Sequence, residues 1–97
     1  MTEKQLMAAT VELARLLGYL VYHPFDSRRS VAGFPDLTMC RGSRLLFVEL
    51  KTEKGIESVA QLDWSQALHH AGAETYLWRP KDWLDGTIEA TLRREVA

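Results

Sequence analysis

The types and spacing of two carboxylates and one amine suggest that a single β-hairpin brings them together. Asp36 lies near the start of a short apolar strand pattern, and Glu49 and Lys51 end the next one. Between the two patterns, Gly42-Ser43 suits the centre of a two-residue type II′ turn. With that turn, Asp36 lies directly opposite Glu49, and their Cβ atoms are ~5 Å apart. Strand alternation places Lys51 on the same face as Glu49.

Two carboxylates at that separation repel each other unless a cation lies nearby. Magnesium is bound in proteins by one or two carboxylates, and it keeps several waters that phosphate oxygens can replace. An ammonium such as that of Lys51 suits a phosphate or an attacking hydroxide. The constellation therefore predicts phosphodiester hydrolysis. The same residues also fit a purely structural interpretation, in which Asp36 belongs to a turn after Pro35 and Glu49 with Lys51 forms an exposed strand edge. A three-residue hairpin loop would break the opposition of the two acids.

The surrounding pattern predicts an α/β fold in which a small mixed four-stranded sheet is flanked by helices. Apolar side chains at helical spacing indicate the first helix, and alternating or branched residues indicate the strands. The third and fourth strands are expected to be parallel, because a helix joins them. The predicted elements are a helix over Thr2–Leu17, strands over Tyr19–His23, Asp36–Cys40, Leu45–Lys51 and Thr75–Trp78, a helix from a Ser58 cap to about Ala71, and a last helix over Thr87–Glu95. The side chains predicted to face the core from the hairpin are Leu37, Met39, Leu46, Val48 and Leu50.

Composition predicts one domain, residues 1–97, located in the cytoplasm of a bacterial or phage-infected cell. The chain has 97 residues, too few for two independent cores. Its one cysteine excludes an internal disulfide framework, and it contains no apolar run long enough to span a bilayer. The net charge of −1 argues against a polybasic nucleic-acid coat, although it leaves room for a local basic groove.

Three segments of the chain resemble the PD-(D/E)XK nucleases. They are Gly33-Phe34-Pro35-Asp36, Glu49-Leu50-Lys51 and Gln61-Leu62-Asp63-Trp64. Their order, with a hairpin between the first two, is most similar to the VRR-NUC (virus-type replication-repair nuclease) family. This resemblance implies a restriction-endonuclease-like αβββαβ core, here with an added C-terminal helix. It also implies DNA cleavage that depends on Mg²⁺, with Mn²⁺ as a substitute.

The resemblance also implies a role for each matching residue. Asp36 and Glu49 would bind the metal, with the backbone carbonyl of Leu50 as a further ligand, and Lys51 would orient or stabilise the attacking hydroxide. Gln61 would reach the site from the second helix, although a Gln three residues after Ser58 also fits a capping box. The family often adds an acid from the first helix. For that place we prefer Glu3 to Glu12, which lies about two and a half turns away on roughly the opposite face.

The middle of the chain carries an excess of basic residues, which predicts contacts with DNA phosphates. The residues expected to make them are Arg28, Arg29, Arg41, Arg44 and Lys54. Stand-alone VRR-NUC domains look like junction-resolving enzymes, so the resemblance implies a homodimer acting on branched DNA such as Holliday junctions. Two rivals from other classes remain: a non-catalytic DNA-binding module that retains the nuclease fold, and an assembly protein whose sheet serves only as an interface.

Overall fold

A computed structural model describes residues 1–24 and 31–95. Four strands form one sheet in the order β1 Leu20–Tyr22, β2 Leu37–Arg41, β3 Arg44–Leu50 and β4 Glu74–Trp78. The first two strands each pair antiparallel with the next strand, and β3 pairs parallel with β4. The predicted mixed sheet and its parallel pair are therefore confirmed. The helices are α1 Glu3–Leu16, α2 Val59–His70, α3 Pro80–Leu84 and α4 Thr87–Arg93.

The β2–β3 hairpin has the predicted register. Arg41 pairs with Arg44 across the turn, and the pairing continues to Leu37 opposite Val48. Gly42 has φ +59°, and no residue other than glycine has a positive φ among those described. A positive φ at only the first central position is the pattern of a type II′ turn. One further step along this register places Asp36 opposite Glu49.

The two faces of the sheet have different roles. On one face, alternate residues of β2 and β3 pack against apolar side chains of α1 and α4, and this is the hydrophobic core. All five core residues predicted from the hairpin are fully buried there. The opposite face carries Phe47 and Glu49, because successive side chains of a strand point to opposite sides. This second face therefore presents the candidate chemistry.

Helix α3 is absent from the predicted elements. Pro80 occupies its first turn, where the missing N–H costs nothing, and the Asp82 carboxylate accepts the Arg79 N–H at 2.8 Å. Five residues are too few to show helical periodicity in a sequence. Pro80, a residue favoured at the first position of a helix, was the only sequence feature that could indicate α3. Among the described residues, no helix is long and apolar enough to cross a membrane.

Candidate active site

Asp36 and Glu49 meet at the open end of the hairpin. Asp36 Oδ2 accepts the backbone N–H of Leu50 at 2.8 Å, which holds its carboxylate against β3. The Glu49 side chain shares a hydrogen bond with that of Asp36, and Glu49 is only 6% exposed. The structure therefore brings together the two acids that the hairpin register predicts to be neighbours.

The electrostatics of Glu49 are unusual for a carboxyl group. Burial disfavours its charged form, and the hydrogen bond and negative charge of Asp36 add to that effect, so the pKa of Glu49 lies well above its ordinary value. The ammonium of Lys51 acts in the opposite direction, whereas the carboxylate of Glu57 slightly reinforces the rise. The pair is therefore short of positive charge.

A tightly packed loop fixes the approach to Asp36. Gly33 has φ +85°, and a Cβ placed on it would lie 2.4 Å from the carbonyl carbon of Ala60 in α2. The next residue, Phe34, packs edge-on against both Trp64 and Phe47, with ring centroids 5.0 and 5.9 Å away. The loop is thus clamped between the sheet and α2, two residues before the acid. Trp64 acts as a packing residue in this clamp.

Lys51 extends the active face just beyond β3. Its backbone N–H donates to the carbonyl of Trp78 at 3.0 Å, which continues the pairing between β3 and β4. The following turn packs close to its side chain, since a Cβ placed on Gly55 would lie 3.3 Å from Lys51 Cδ. Lys51 is near enough to Glu49 for its charge to favour the ionised carboxylate. The charge of Lys51 therefore acts on the carboxylate pair, and its role in the chemistry stays a prediction.

Gln61 is part of a capping box at the start of α2, which is the alternative role that the sequence allowed for it. Its Oε1 accepts the N–H of Ser58 at 2.8 Å, and its own N–H donates to Ser58 Oγ at 3.2 Å. The oxygen of its side chain is thus engaged at the start of α2. A role for Gln61 in chemistry stays a prediction.

The acid expected from α1 does not join the pair. Glu3 lies exposed in the first turn of α1. Glu12 lines a groove of about 610 Å³ along the same helix, together with His23 and apolar residues of α1. Within residues 1–24 and 31–95, no group of three or more His, Cys, Asp or Glu side chains is placed to hold a metal ion. The candidate site is therefore built from two carboxylates, and the preference for Glu3 is not supported by the geometry.

The structure corrects the expectation that Arg41 and Arg44 contact DNA. Both flank the hairpin turn, at the opposite end of the strands from the acid pair. Arg44 is 4% exposed and donates two hydrogen bonds to the Glu74 carboxylate, at 2.9 and 3.0 Å. Arg41 donates to the backbone carbonyls of Leu17 and Arg94. These guanidinium groups tie helix ends to the sheet, because the unpaired carbonyls there need donors.

The other residues predicted to bind DNA have different outcomes. Arg28 and Arg29 lie outside the described residues. Lys54 is exposed in the turn that follows Lys51, so its side chain is available to a partner. Its contact with phosphate stays a prediction.

Comparison with known proteins identifies the fold. No family model matches the chain, and no curated protein matches it. Among solved structures, one described as a VRR_NUC domain is 27% identical, with a TM-score of 0.73 over 90% of this chain and 94% of its own. A second, described as a VRR_NUC domain protein, is 19% identical, with a TM-score of 0.70 over 93% of this chain and 87% of its own. The chain therefore shares the fold of these VRR_NUC domain proteins, which supports the resemblance of its sequence to the VRR-NUC family. Its fold is of the nuclease type.

Two features of this domain were not singled out in the sequence. One is the close approach of Gly33 to Ala60. The isolated glycine before Phe34-Pro35 is the only feature of the sequence that could have indicated this contact. The other is Arg79, whose Nη1 donates to the carbonyls of Thr52, Glu53 and Gly55. No motif announces such a contact, since it joins segments more than twenty residues apart.

Proposed function

We propose that this domain is a VRR-NUC-type, magnesium-dependent DNA endonuclease that acts as a homodimer on branched DNA such as four-way junctions. The observation that carries the proposal is the buried contact between Asp36 and Glu49 beside Lys51. Glu49 is only 6% exposed, and a second carboxylate lies next to it. Like charges at that distance repel each other and lower the stability of the fold, so we infer that the pair is kept for a function.

The residues present fit a divalent cation. Carboxylate oxygens are the ligands that Mg²⁺ prefers, and a site with only two of them leaves positions open for water and phosphate. A doubly charged ion between Asp36 and Glu49 would also offset the charge deficit that raises the pKa of Glu49. Asp36 and Glu49 would hold the ion, with the backbone carbonyl of Leu50 as the predicted additional ligand. Mn²⁺ is expected to substitute.

Each group of the chain has a separate task in this proposal. When bound by Asp36 and Glu49, Mg²⁺ would supply Lewis acidity toward a phosphate oxygen. The Leu50 N–H orients the Asp36 carboxylate, and the clamp around Phe34 prevents the loop from moving it. Lys51 places a positive charge where the phosphate becomes more negative during attack by water.

DNA is the proposed substrate, and contacts with its phosphates are expected to be local. With a net charge of −1, the domain cannot attract DNA through its overall charge. Lys54, in the turn after Lys51, is the described cation best placed to meet the backbone next to the site. Arg28 and Arg29 are proposed to add to this contact. Binding should weaken steeply with salt, because each neutralised phosphate releases counterions.

Exposed apolar side chains support the proposed homodimer. Ile56 lies just before α2, Val59 and Leu62 lie in its first turns, and they are 87%, 75% and 41% exposed. Exposed apolar side chains that join into one patch mark contact surfaces between proteins. Pairing these residues with those of a second copy would give two active sites for two DNA strands. Sedimentation equilibrium of the protein and of Val59→Asp tests this proposal, which fails if both are monomers at micromolar concentration.

Cleavage of defined DNA substrates tests the proposed activity. Purified protein with Mg²⁺ should cut a four-way junction in preference to a flap or plain duplex, and Lys51→Ala should reduce the rate at least about a hundredfold. Lys4→Ala, which removes an exposed amine from α1, is the matched control and should retain full activity. Equal rates for Lys51→Ala and Lys4→Ala would contradict the assigned role of Lys51. Equal cutting of junction and duplex would contradict the substrate preference.

A titration calorimetry experiment with Mn²⁺ separates the enzyme from its rival. Binding that disappears in Asp36→Asn and persists in Lys4→Ala supports the proposed metal site. If DNA binds while Mn²⁺ does not, the domain is a non-catalytic DNA-binding module that has retained the fold.

A further inference from the structure

We infer that Arg79 is a positioning residue, which holds the turn after β3 so that Lys51 stays beside the carboxylate pair. The inference rests on the proposed function, since it concerns how the amine of that site is placed. It extends the proposal to the residue that follows β4, which has no contact with Asp36 or Glu49 among the hydrogen bonds of the described residues.

The guanidinium of Arg79 gathers the backbone of this turn. Arg79 Nη1 donates to the carbonyls of Thr52 at 2.6 Å and Gly55 at 2.7 Å, and it lies 3.2 Å from that of Glu53. The Thr52 carbonyl also accepts the N–H of Gly55 at 3.2 Å, which closes the turn. A charged donor makes stronger bonds than a neutral one, so this single group fixes the turn on three sides.

The turn that Arg79 holds packs against the side chain of Lys51. Gly55 is so close to the lysine that an added Cβ would lie 3.3 Å from Lys51 Cδ and 3.0 Å from Thr52 Oγ1. The methylenes of Lys51 therefore lie along the turn, and a movement of the turn moves the amine. A flexible four-carbon side chain gains its direction from such packing, because it loses rotamer freedom against a fixed surface.

Register explains why Arg79 is available for this task. Leu50 pairs with Trp78 in the parallel ladder, so Lys51 and Arg79 are the next residues along the two strands. Arg79 keeps an extended backbone, with φ −121° and ψ 165°, and its N–H is capped by Asp82. The start of α3 adds a second anchor, since the Lys81 N–H donates to Glu53 Oε1 at 3.2 Å. Without Arg79 that anchor holds only one side of the turn.

The test compares four variants on the junction substrate. Arg79→Met should lower kcat about tenfold because the amine of Lys51 is displaced, with a smaller rise in KM because Lys54 belongs to the same turn. Arg79→Lys, which keeps a cationic donor, should recover most of the rate. Arg93→Met removes an arginine from an exposed ion pair on α4 and should leave kcat unchanged. In the Lys51→Ala background, Arg79→Met should cause less than about a twofold further loss.

Two results would overturn the inference. An equal loss from Arg79→Met with and without Lys51 would show that the guanidinium acts on the substrate by itself. Unchanged amide hydrogen exchange at Gly55 in Arg79→Met would show that the turn does not depend on Arg79. The exchange measurement needs no cleavage, so it decides this inference even if the unmodified protein proves inactive. Inactivity of the unmodified protein together with faster exchange at Gly55 would refute only the proposed function.

Discussion

Replacing Gly33 by alanine should disrupt the clamp that places Asp36. An added Cβ would lie 2.4 Å from the carbonyl carbon and 2.5 Å from the oxygen of Ala60, both of which are backbone atoms of α2. These atoms cannot move aside as a flexible side chain can. The loop or the helix must therefore shift, and Asp36 is only three residues away.

The size of the effect follows from two separate costs. A residue with a Cβ at φ +85° loses about 1–2 kcal/mol relative to glycine. Forcing an extra methyl group into a filled space adds about 1–3 kcal/mol. The free energy of unfolding should thus fall by about 2–5 kcal/mol. For a domain of this size, each kcal/mol corresponds to a decrease in Tm of about 4–8 °C.

Gly72→Ala is the matched control. Gly72 has φ +96°, and nothing lies within 4 Å of the position of an added Cβ, so this variant bears the conformational cost without the clash. Urea unfolding of both variants, followed by circular dichroism, measures the difference. We expect Gly33→Ala to lose at least about 1 kcal/mol more than Gly72→Ala. It should also bind Mn²⁺ more weakly, whereas Gly72→Ala should not. Equal losses of stability would refute the argument that Ala60 and Gly33 form a rigid contact.

Three further predictions concern charge. At pH values above 7, metal-free Glu49→Gln should have a higher Tm than the unmodified protein. Burial raises the pKa of Glu49, so the folded state loses stability as the pH rises above the ordinary carboxyl pKa of 4.5. Glutamine does not ionise, so the variant does not lose this stability. Arg44→Met should cost about 3 kcal/mol in urea unfolding, because Glu74 loses its buried guanidinium partner and keeps the exposed Arg94 and the Tyr76 hydroxyl. The exposed Arg93→Met should cost less than about 1 kcal/mol. The hydrogen bonds from Arg44 lower the pKa of Glu74 to about 2, so the stability advantage of the unmodified protein over Glu74→Gln should be full above pH 4.5 and decline as pH falls toward 2.

Each of these predictions has a contrary outcome. If the Tm of Glu49→Gln at pH 8 is equal to or below that of the unmodified protein, burial of the Glu49 carboxylate does not destabilise the fold. Similar losses for Arg44→Met and Arg93→Met would show that burial of the Arg44 guanidinium contributes nothing. A difference between the unmodified protein and Glu74→Gln that stays constant from pH 6 to pH 2.5 would contradict the ion pair.

The sequence by itself determined the local features of this protein. Gly42-Ser43 specifies a two-residue turn, and the turn length sets which residues face each other along β2 and β3. Alternation then separates the core residues from Glu49. The opposition of Asp36 and Glu49 was predictable for this reason, since it depends on residues within one hairpin. The capping boxes at Thr2 and Ser58 are equally local.

Only the tertiary structure decided what distant segments do to each other. Arg44 carries the positive charge typical of a DNA-binding residue, yet the fold buries it against Glu74, thirty residues away. Arg79 acquires its role because β4 lies parallel beside β3, and Gly33 is required because α2 crosses just above it. A charged side chain takes the partner that is nearest in space, and that choice follows from the packing of helices on the sheet and not from spacing along the chain.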